Sequence, residues 1–250
     1  ALHAVNMAPP PTPLASDRAN QAQDLFLAGD LEGAAIFWEQ AVKQQPTNVS
    51  YLYEYGIVLI DLERSTEARV LGDQAIAANP NDPRGYAIKA LSMMWTESAE
   101  AIPIAINGLE LNQDFAPLHA ALAVAYTNIS RYQEALEEGA RAVSLAPQDA
   151  IARRAFQYPL LLTGRYDDAI AQLEQAIAIN PYIPAPYFEL ASLYRVVDNH
   201  EMAVAIFERL IEMNPMNAKA YGGMVRSYIA TGDLEQAEAM IQLNVVALTH

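Results

Sequence analysis

A proline recurs at nearly constant intervals along most of this chain. It ends successive segments at Pro46, Pro80, Pro147, Pro181 and Pro215, and each of the last two steps is 34 residues long. An alanine stands twelve residues before each proline, at Ala34, Ala68, Ala135, Ala169 and Ala203, where a small side chain lets two helices approach closely. A fixed period of this length predicts stacked structural repeats, because each unit buries its apolar face against its neighbours.

Each repeat divides into two helical halves. Apolar and aromatic residues follow helical spacing in the first half, as in Leu52, Tyr55, Gly56 and Leu59. Short segments with glycine or polar residues join the halves, as in LTGRYDDA, IATGDLEQA and FLAGDLEGA. The units are therefore predicted to be helix, turn and helix. We place their first residues at about Ala15, Val49, Pro83, Ala116, Ala150, Pro184 and Ala218, with residues 1–14 as an extended, proline-rich N-terminal segment.

The order of recurring residue types within a unit resembles the tetratricopeptide repeat. The fifth unit carries the pattern most closely, with Tyr166, Ala169, Leu173, Ala176 and Pro181. The resemblance covers residues 15–250 and implies an all-α fold, a right-handed α-α superhelix, or solenoid, of seven helix-turn-helix repeats. It also implies that the first helix of each repeat lines a concave groove in which protein segments bind.

Two places depart from the regular pattern. The third repeat is one residue short, which we assign to its turn in WTESAEAI, and Gln113 stands where the closing proline is expected. Pro159 falls within the predicted first helix of the fifth repeat, where its missing N–H and its ring predict a bend. A local bend that neighbouring helices absorb is favoured here over a hinge.

The composition argues against catalysis and against polyanionic partners. The chain has 15 basic and 30 acidic residues, a formal net charge of -15, and no cysteine. Its four histidines, His3, His119, His200 and His250, lack metal-ligand spacing, and no glycine-rich phosphate loop is present. We therefore predict a protein that is not an enzyme, with no catalytic, cofactor-binding or metal-binding residues. A protein or peptide partner is expected, and nucleic acid is not.

The chain carries no apolar run long enough to span a bilayer and no signal-peptide pattern, so direct membrane insertion is not expected. It begins with Ala1, which indicates processing or trimming. A proline-rich start after signal cleavage is one interpretation, and a trimmed fragment is the other. Export to the cell envelope or the outside of the cell is favoured over the cytoplasm.

The family resemblance assigns groove-facing roles to fixed positions of each first helix. Several of these side chains could instead be helix-packing core, and the residues alone leave both interpretations open. The predicted concave-groove residues are mostly apolar, with several arginines among them: Phe26, Tyr53, Ile57, Ile60, Arg84, Leu91, Met94, Trp95, Val124, Arg154, Tyr158, Leu161, Phe188, Arg195 and Arg226.

Charge is predicted to divide between the two faces of the solenoid. Basic residues outnumber acidic ones on the first helices, so the inner surface is expected to be neutral to basic and the outer surface acidic. Such a groove suits an extended apolar peptide or an acidic surface. Chaperone adaptors of the family hold a carboxylate with lysine and asparagine in their first repeats, where this chain has Ala19 and Gln23, so a chaperone tail is not expected.

Both ends of the array carry apolar residues that point to self-association. The N-terminal segment contributes Leu2, Val5, Met7 and Leu14, and the last helix contributes Ile241, Val245, Val246 and Leu248. We predict a scaffold that joins head to tail into a homo-oligomer or filament through these ends and the groove. The alternative is a monomeric adaptor that binds another protein's extended or acidic peptide. A catalytic or regulatory subunit would need sequence beyond these residues.

Overall fold

The computed structural model describes residues 13–248 and consists of fourteen helices over that range, packed as seven antiparallel pairs. The prediction of an all-α tetratricopeptide-type solenoid is confirmed. The helices are α1 (Ala15–Leu27), α2 (Leu31–Gln44), α3 (Val49–Asp61), α4 (Ser65–Ala78), α5 (Pro83–Met93), α6 (Ser98–Leu111), α7 (Ala116–Asn128), α8 (Tyr132–Leu145), α9 (Ala150–Leu162), α10 (Tyr166–Ile179), α11 (Pro184–Val196), α12 (His200–Met213), α13 (Ala218–Thr231) and α14 (Leu234–Leu248).

Alanine at one fixed position lets the two helices of a repeat pack closely. Each recurring alanine lies on an outer helix and is completely buried: Ala34, Ala68, Ala135, Ala169 and Ala203. The odd-numbered helices form the inner layer, where α3, α5, α7 and α9 contact one another in succession. Small buried residues therefore set the helix spacing, and larger apolar residues fill the layer between inner and outer helices.

The turn inside each repeat has a fixed backbone conformation. In six of the seven repeats, one residue of the turn has a positive φ: Gly29, Glu63, Ser130, Gly164, Asp198 and Gly232. A left-handed residue ends a helix by redirecting the chain, which explains the glycine or polar residue of the sequence pattern. The prolines between repeats also have a structural role, because tyrosine hydroxyls donate to the carbonyls of Pro80, Pro181 and Pro215 at 3.0–3.2 Å.

The third repeat loses its residue from a helix and not from the turn, so that assignment was wrong. Helix α5 has 11 residues where α3, α7, α9 and α11 have 13. The turn that follows runs over residues 94–97, with four residues where the turns of the first, second, fourth, fifth and sixth repeats have three. No residue in that turn has a positive φ, so the chain needs the extra residue to reverse its direction.

Helix α9 continues through Pro159 and joins two parts of the core. Ala152 and Ala155 pack in a cluster that extends back to α1, and Leu160 packs in a second cluster that extends to α13. Pro159 is itself buried between these positions. The proline therefore lies where one apolar cluster gives way to the next.

The first repeat meets the junction of the fifth and sixth repeats in a contact that we call the clasp: Gly29, Leu31, Tyr182, Ile183 and Ala185. Leu31, Ile183 and Ala185 form a separate buried cluster. Gly29 has a φ of +86°, and a Cβ at this position would overlap the ring of Tyr182. Glycine is therefore required here both by its conformation and by the approach of the tyrosine. The clasp therefore joins distant repeats directly.

Candidate functional site

The predicted groove residues differ in their exposure. Ile60, Leu91, Met94 and Val124 are buried, so other residues form the accessible part of the inner surface. Arg226 is exposed, and the remaining predicted residues are half-buried: Phe26, Tyr53, Ile57, Arg84, Trp95, Arg154, Tyr158, Leu161, Phe188 and Arg195.

Arg154 lies at the centre of the interior. Its guanidinium makes an ion pair with Glu189, with Nη2 2.7 Å from Oε1, and lies 5.5 Å from the ring centroid of Trp95. The second oxygen of Glu189 is buried with no hydrogen-bond partner. Burial raises the pKa of the Glu189 carboxyl, and the pairing with Arg154 offsets part of that rise. Removal of either partner would leave the charge of the other without compensation in the interior.

Asp61 ends α3 in the same interior and is 7% exposed. Burial raises the pKa of its carboxyl to about 7, with a smaller opposing effect from Arg154 and a smaller reinforcing one from Asp149. The side chain lies among residues of the clasp, close to Leu62 and Tyr182. A carboxyl of this kind is neutral in mildly acidic solution and becomes a buried charge above neutral pH.

An open apolar cleft of about 300 Å³ crosses the inner helices beyond the clasp. We define the cleft by the ten residues that line it: Trp95, Gln157, Tyr158, Leu161, Phe188, Glu189, Ser192, Leu193, Val196 and Lys219. The rings of Trp95 and Tyr158 are 5.1 Å apart, between centroids. Val196 is 56% exposed at one border. Aromatic and aliphatic side chains that remain partly exposed in a concave surface are typical of a peptide-binding site.

Asn128 holds the hydroxyl end of Tyr158 in place. Its Oδ1 accepts a hydrogen bond from the Tyr158 hydroxyl at 3.0 Å, and its Nδ2 donates to the carbonyl of Met94 at 3.1 Å. The amide thus links α9 to the turn after α5, which carries Trp95. The two rings are therefore fixed relative to each other before any partner binds.

Basic residues border the cleft at its C-terminal side. The ammonium of Lys219 lies 4.4 Å from the ring centroid of Phe188. Arg195, near the end of α11, is half-buried, and Arg226 of α13 is exposed. Among the residues that the structure describes, neither arginine makes an ion pair.

The last helix exposes apolar side chains to solvent. The exposed fractions are 44% for Ile241, 45% for Leu243, 54% for Val245 and 70% for Leu248. At the other end of the solenoid, Leu14 is 67% exposed at the start of α1. Leu2, Val5 and Met7 lie outside the described residues, as does the side chain of Val246.

Within residues 13–248, no cluster of three or more histidine or acidic residues is placed to hold a metal ion. The described helices also include none with the length and apolar character of a bilayer-spanning segment.

Sequence profiles of the tetratricopeptide repeat match three parts of the chain, residues 25–91, 160–182 and 198–243. The chain belongs to the tetratricopeptide repeat family. Its matched segments lie in both the N-terminal and the C-terminal repeats, in agreement with the seven helix pairs. This tetratricopeptide repeat protein is therefore a protein–protein interaction scaffold.

Solved structures share the fold at low sequence identity. A tetratricopeptide repeat protein of Thermus thermophilus has a TM-score of 0.58 and 21% identity, over 72% of this chain and 98% of that one. YrrB, described as having an unusual peptide-binding site, has a TM-score of 0.52 and 19% identity, over 70% and 91% of the two chains. The Cut9–Hcn1 complex of the APC/C gives a TM-score of 0.67 and 14% identity, over 90% of this chain and 45% of that one.

One curated relative matches a short part of the chain. The general transcriptional corepressor trfA of Dictyostelium discoideum is 28% identical over 79 residues. The match covers 32% of this chain and only 6% of the corepressor. It therefore adds to the evidence for the repeat and not to that for a particular activity.

Two features of the interior were absent from the sequence prediction. The clasp joins Gly29 to Tyr182 and Leu31 to Ile183, and no local pattern marks such a distant contact. The proximity of Asp61 to Arg154 and the ion pair of Arg154 with Glu189 were also missed. Their position on inner helices was the only signal available.

Proposed function

We propose that this protein is a non-enzymatic scaffold that binds an extended apolar segment in the cleft. The observation that carries the proposal is the partly exposed Trp95–Tyr158 pair, which Asn128 orders in advance. An ordered aromatic surface binds a ligand at a lower entropy cost than a mobile one. The cleft is separate from the clasp, because none of the five clasp residues lines it.

The N-terminal segment of a second copy is the occupant that this sequence offers. Residues 1–14 contain apolar side chains and several prolines, and prolines favour an extended path that loses little entropy on binding. Binding of one copy's segment in the next copy's cleft would join copies head to tail. In the heterotypic form of the proposal, the cleft binds a similar extended segment that belongs to another protein.

A labelled peptide of residues 1–14 tests the homotypic form. We expect it to bind the full chain, and we expect Tyr158→Ala and Val196→Glu each to weaken binding at least about tenfold, because they remove a ring and place a charge on the apolar border. Fluorescence anisotropy measures the affinity. Val70→Glu is the matched control, since Val70 is 61% exposed on the outer helix α4. Equal affinity for the wild type and both cleft variants would contradict binding in the cleft.

The exposed side chains of α14 favour a second surface for self-association. Ile241 and Leu243 leave apolar area uncovered on this helix, and contiguous exposed apolar area is typical of a protein contact surface. The first repeat of another copy is the proposed occupant, because it presents Leu14 and Leu27, which are both exposed. This contact is heterologous and extends into a filament if it does not close into a ring.

Negative charges introduced on α14 by substitution are expected to prevent copies of the protein from associating. The wild type should show a mass above 27.4 kDa that rises with concentration in light scattering, and a variant with both Ile241→Glu and Leu243→Glu should stay at the monomer mass. Val70→Glu combined with Ile106→Glu is the control, since both residues are exposed on outer helices of the second and third repeats, away from either proposed contact surface. A wild type that remains monomeric at high concentration would rule out this surface.

A further inference from the structure

Among the described residues, Arg195 and Arg226, on the inner helices, lack the ion pairs that most arginines of the outer helices and turns make. Arg64, Arg131, Arg165 and Arg209 each make an ion pair with an acidic residue three positions further along the chain. Arg195 of α11 and Arg226 of α13 have no such partner within the described part of the chain. These two cations therefore remain available to an anion from outside the chain.

The surroundings of Arg195 are unfavourable to its charge. Its Nε is buried without a hydrogen-bond acceptor. Burial lowers the pKa of the guanidinium, and the nearby positive charge of Arg226 lowers it further, with no carboxylate acting in the opposite direction. A desolvated donor beside a like charge destabilises the free protein, and an anion bound between the guanidinium groups would offset the repulsion of the like charges.

Lys219 extends this basic region towards the cleft. It lies seven residues before Arg226 on α13, which places the two side chains on one face of the helix, about 10 Å apart along its axis. Lys219 lines the cleft and contacts the ring of Phe188. The apolar cleft and the unpaired cations thus belong to one continuous inner surface.

We propose that Arg195 and Arg226 together bind a carboxylate of an acidic partner segment whose neighbouring apolar residues occupy the cleft. This inference rests on the heterotypic form of the proposed function, because residues 1–14 contain no acidic residue, and it adds the chemistry of the other protein's segment. Two guanidinium groups offer fixed, planar sets of donors that match carboxylate oxygens.

The charge of the whole molecule favours a short acidic segment over a polyanion. The net charge is -15, so a nucleic acid that followed the surface beyond these residues would be repelled. A single glutamate or aspartate beside apolar residues avoids this repulsion and uses both parts of the surface. The partner is therefore a protein segment in which acidic and apolar residues alternate.

Two labelled peptides test the site on the full chain. In one, glutamate, leucine and proline alternate, and in the other glutamine replaces each glutamate. We expect the wild type to bind the glutamate peptide at least about tenfold more tightly in low salt, because only that peptide can pair with the arginines. Added salt should weaken only this peptide. Arg195→Gln and Arg226→Gln should each remove most of the preference, and Arg165→Gln, the control at an exposed outer arginine, should retain it.

Thermal unfolding gives a second measurement without a peptide. Arg226→Gln removes the positive charge beside Arg195, so this variant should be at least as stable as the wild type. A loss of affinity of Arg226→Gln for the glutamate peptide would then not reflect unfolding. The carboxylate site would be overturned if the wild type bound the two peptides equally. It would also be overturned if the variant with both Arg195→Gln and Arg226→Gln still preferred the glutamate peptide. Neither result would contradict binding of an apolar segment in the cleft.

Other outcomes also decide between the proposals. Failure of both peptides to bind, while the peptide of residues 1–14 still binds, would overturn this inference alone. Failure of all three peptides would overturn the proposed function of the cleft as well. Inorganic phosphate that displaces the glutamate peptide at a lower concentration than glutarate does would identify a phosphate site and overturn the carboxylate assignment.

Discussion

Arg154→Ala is expected to lower the free energy of unfolding by more than about 1 kcal/mol and by at most about 3–5 kcal/mol, because the half-buried pair with Glu189 lies between exposed ion pairs and fully buried ones. The substitution leaves Glu189 charged in an interior where its second carboxylate oxygen already has no partner. It also removes the guanidinium from the face of Trp95. Urea unfolding followed by circular dichroism measures the loss.

Two variants separate this effect from the loss of side-chain packing. Arg165→Ala breaks an exposed ion pair with Asp168 and should change stability by less than about 1 kcal/mol. Arg154→Met combined with Glu189→Gln removes both charges while retaining side-chain volume, and it should recover much of the loss. If Arg154→Ala is no more destabilising than Arg165→Ala, the interior pair does not support the fold.

The repeat architecture was predictable because its determinants are local. The alanines at Ala34 and Ala169 allow close packing within one repeat, and the residues at Gly29 and Gly164 end the inner helix of one repeat. Each such position acts within about thirty residues of sequence, so a period in the sequence translates directly into a period in the structure. The same reasoning misplaced the missing residue of the third repeat, because helix length there depends on how the following turn is made.

The clasp and the interior were not predictable on the same basis. A small rotation accumulates at each repeat of a solenoid, and the sum over five repeats decides whether Tyr182 reaches Gly29. The period also assigns Ile60 to an open groove, whereas it is buried in the core cluster that the neighbouring helices form. The charges of Asp61 and Glu189 likewise acquire their properties from contacts between repeats and not from their neighbours in sequence.

Asp61→Asn is expected to stabilise the protein at alkaline pH by up to about 4 kcal/mol. The pKa of Asp61 is raised from 3.8 to about 7 in the folded chain, and each unit of difference corresponds to about 1.4 kcal/mol. Between these two values the folded state binds more protons than the unfolded state does. The contribution of Asp61 to stability therefore falls as pH rises from about 4 to about 7, and it stays low above that range.

Urea midpoints at pH 4, 6 and 8 would measure this dependence for the wild type and for Asp61→Asn. Since asparagine does not ionise, the two proteins should be similar at pH 4 and diverge with rising pH, with the variant more stable. Asp167→Asn, at an exposed position on α10, is the control and should follow the wild type. The prediction fails if the wild type and Asp61→Asn lose stability in parallel. Divergence would instead show that Asp61 becomes a buried charge near neutral pH, beside the contact that joins distant repeats.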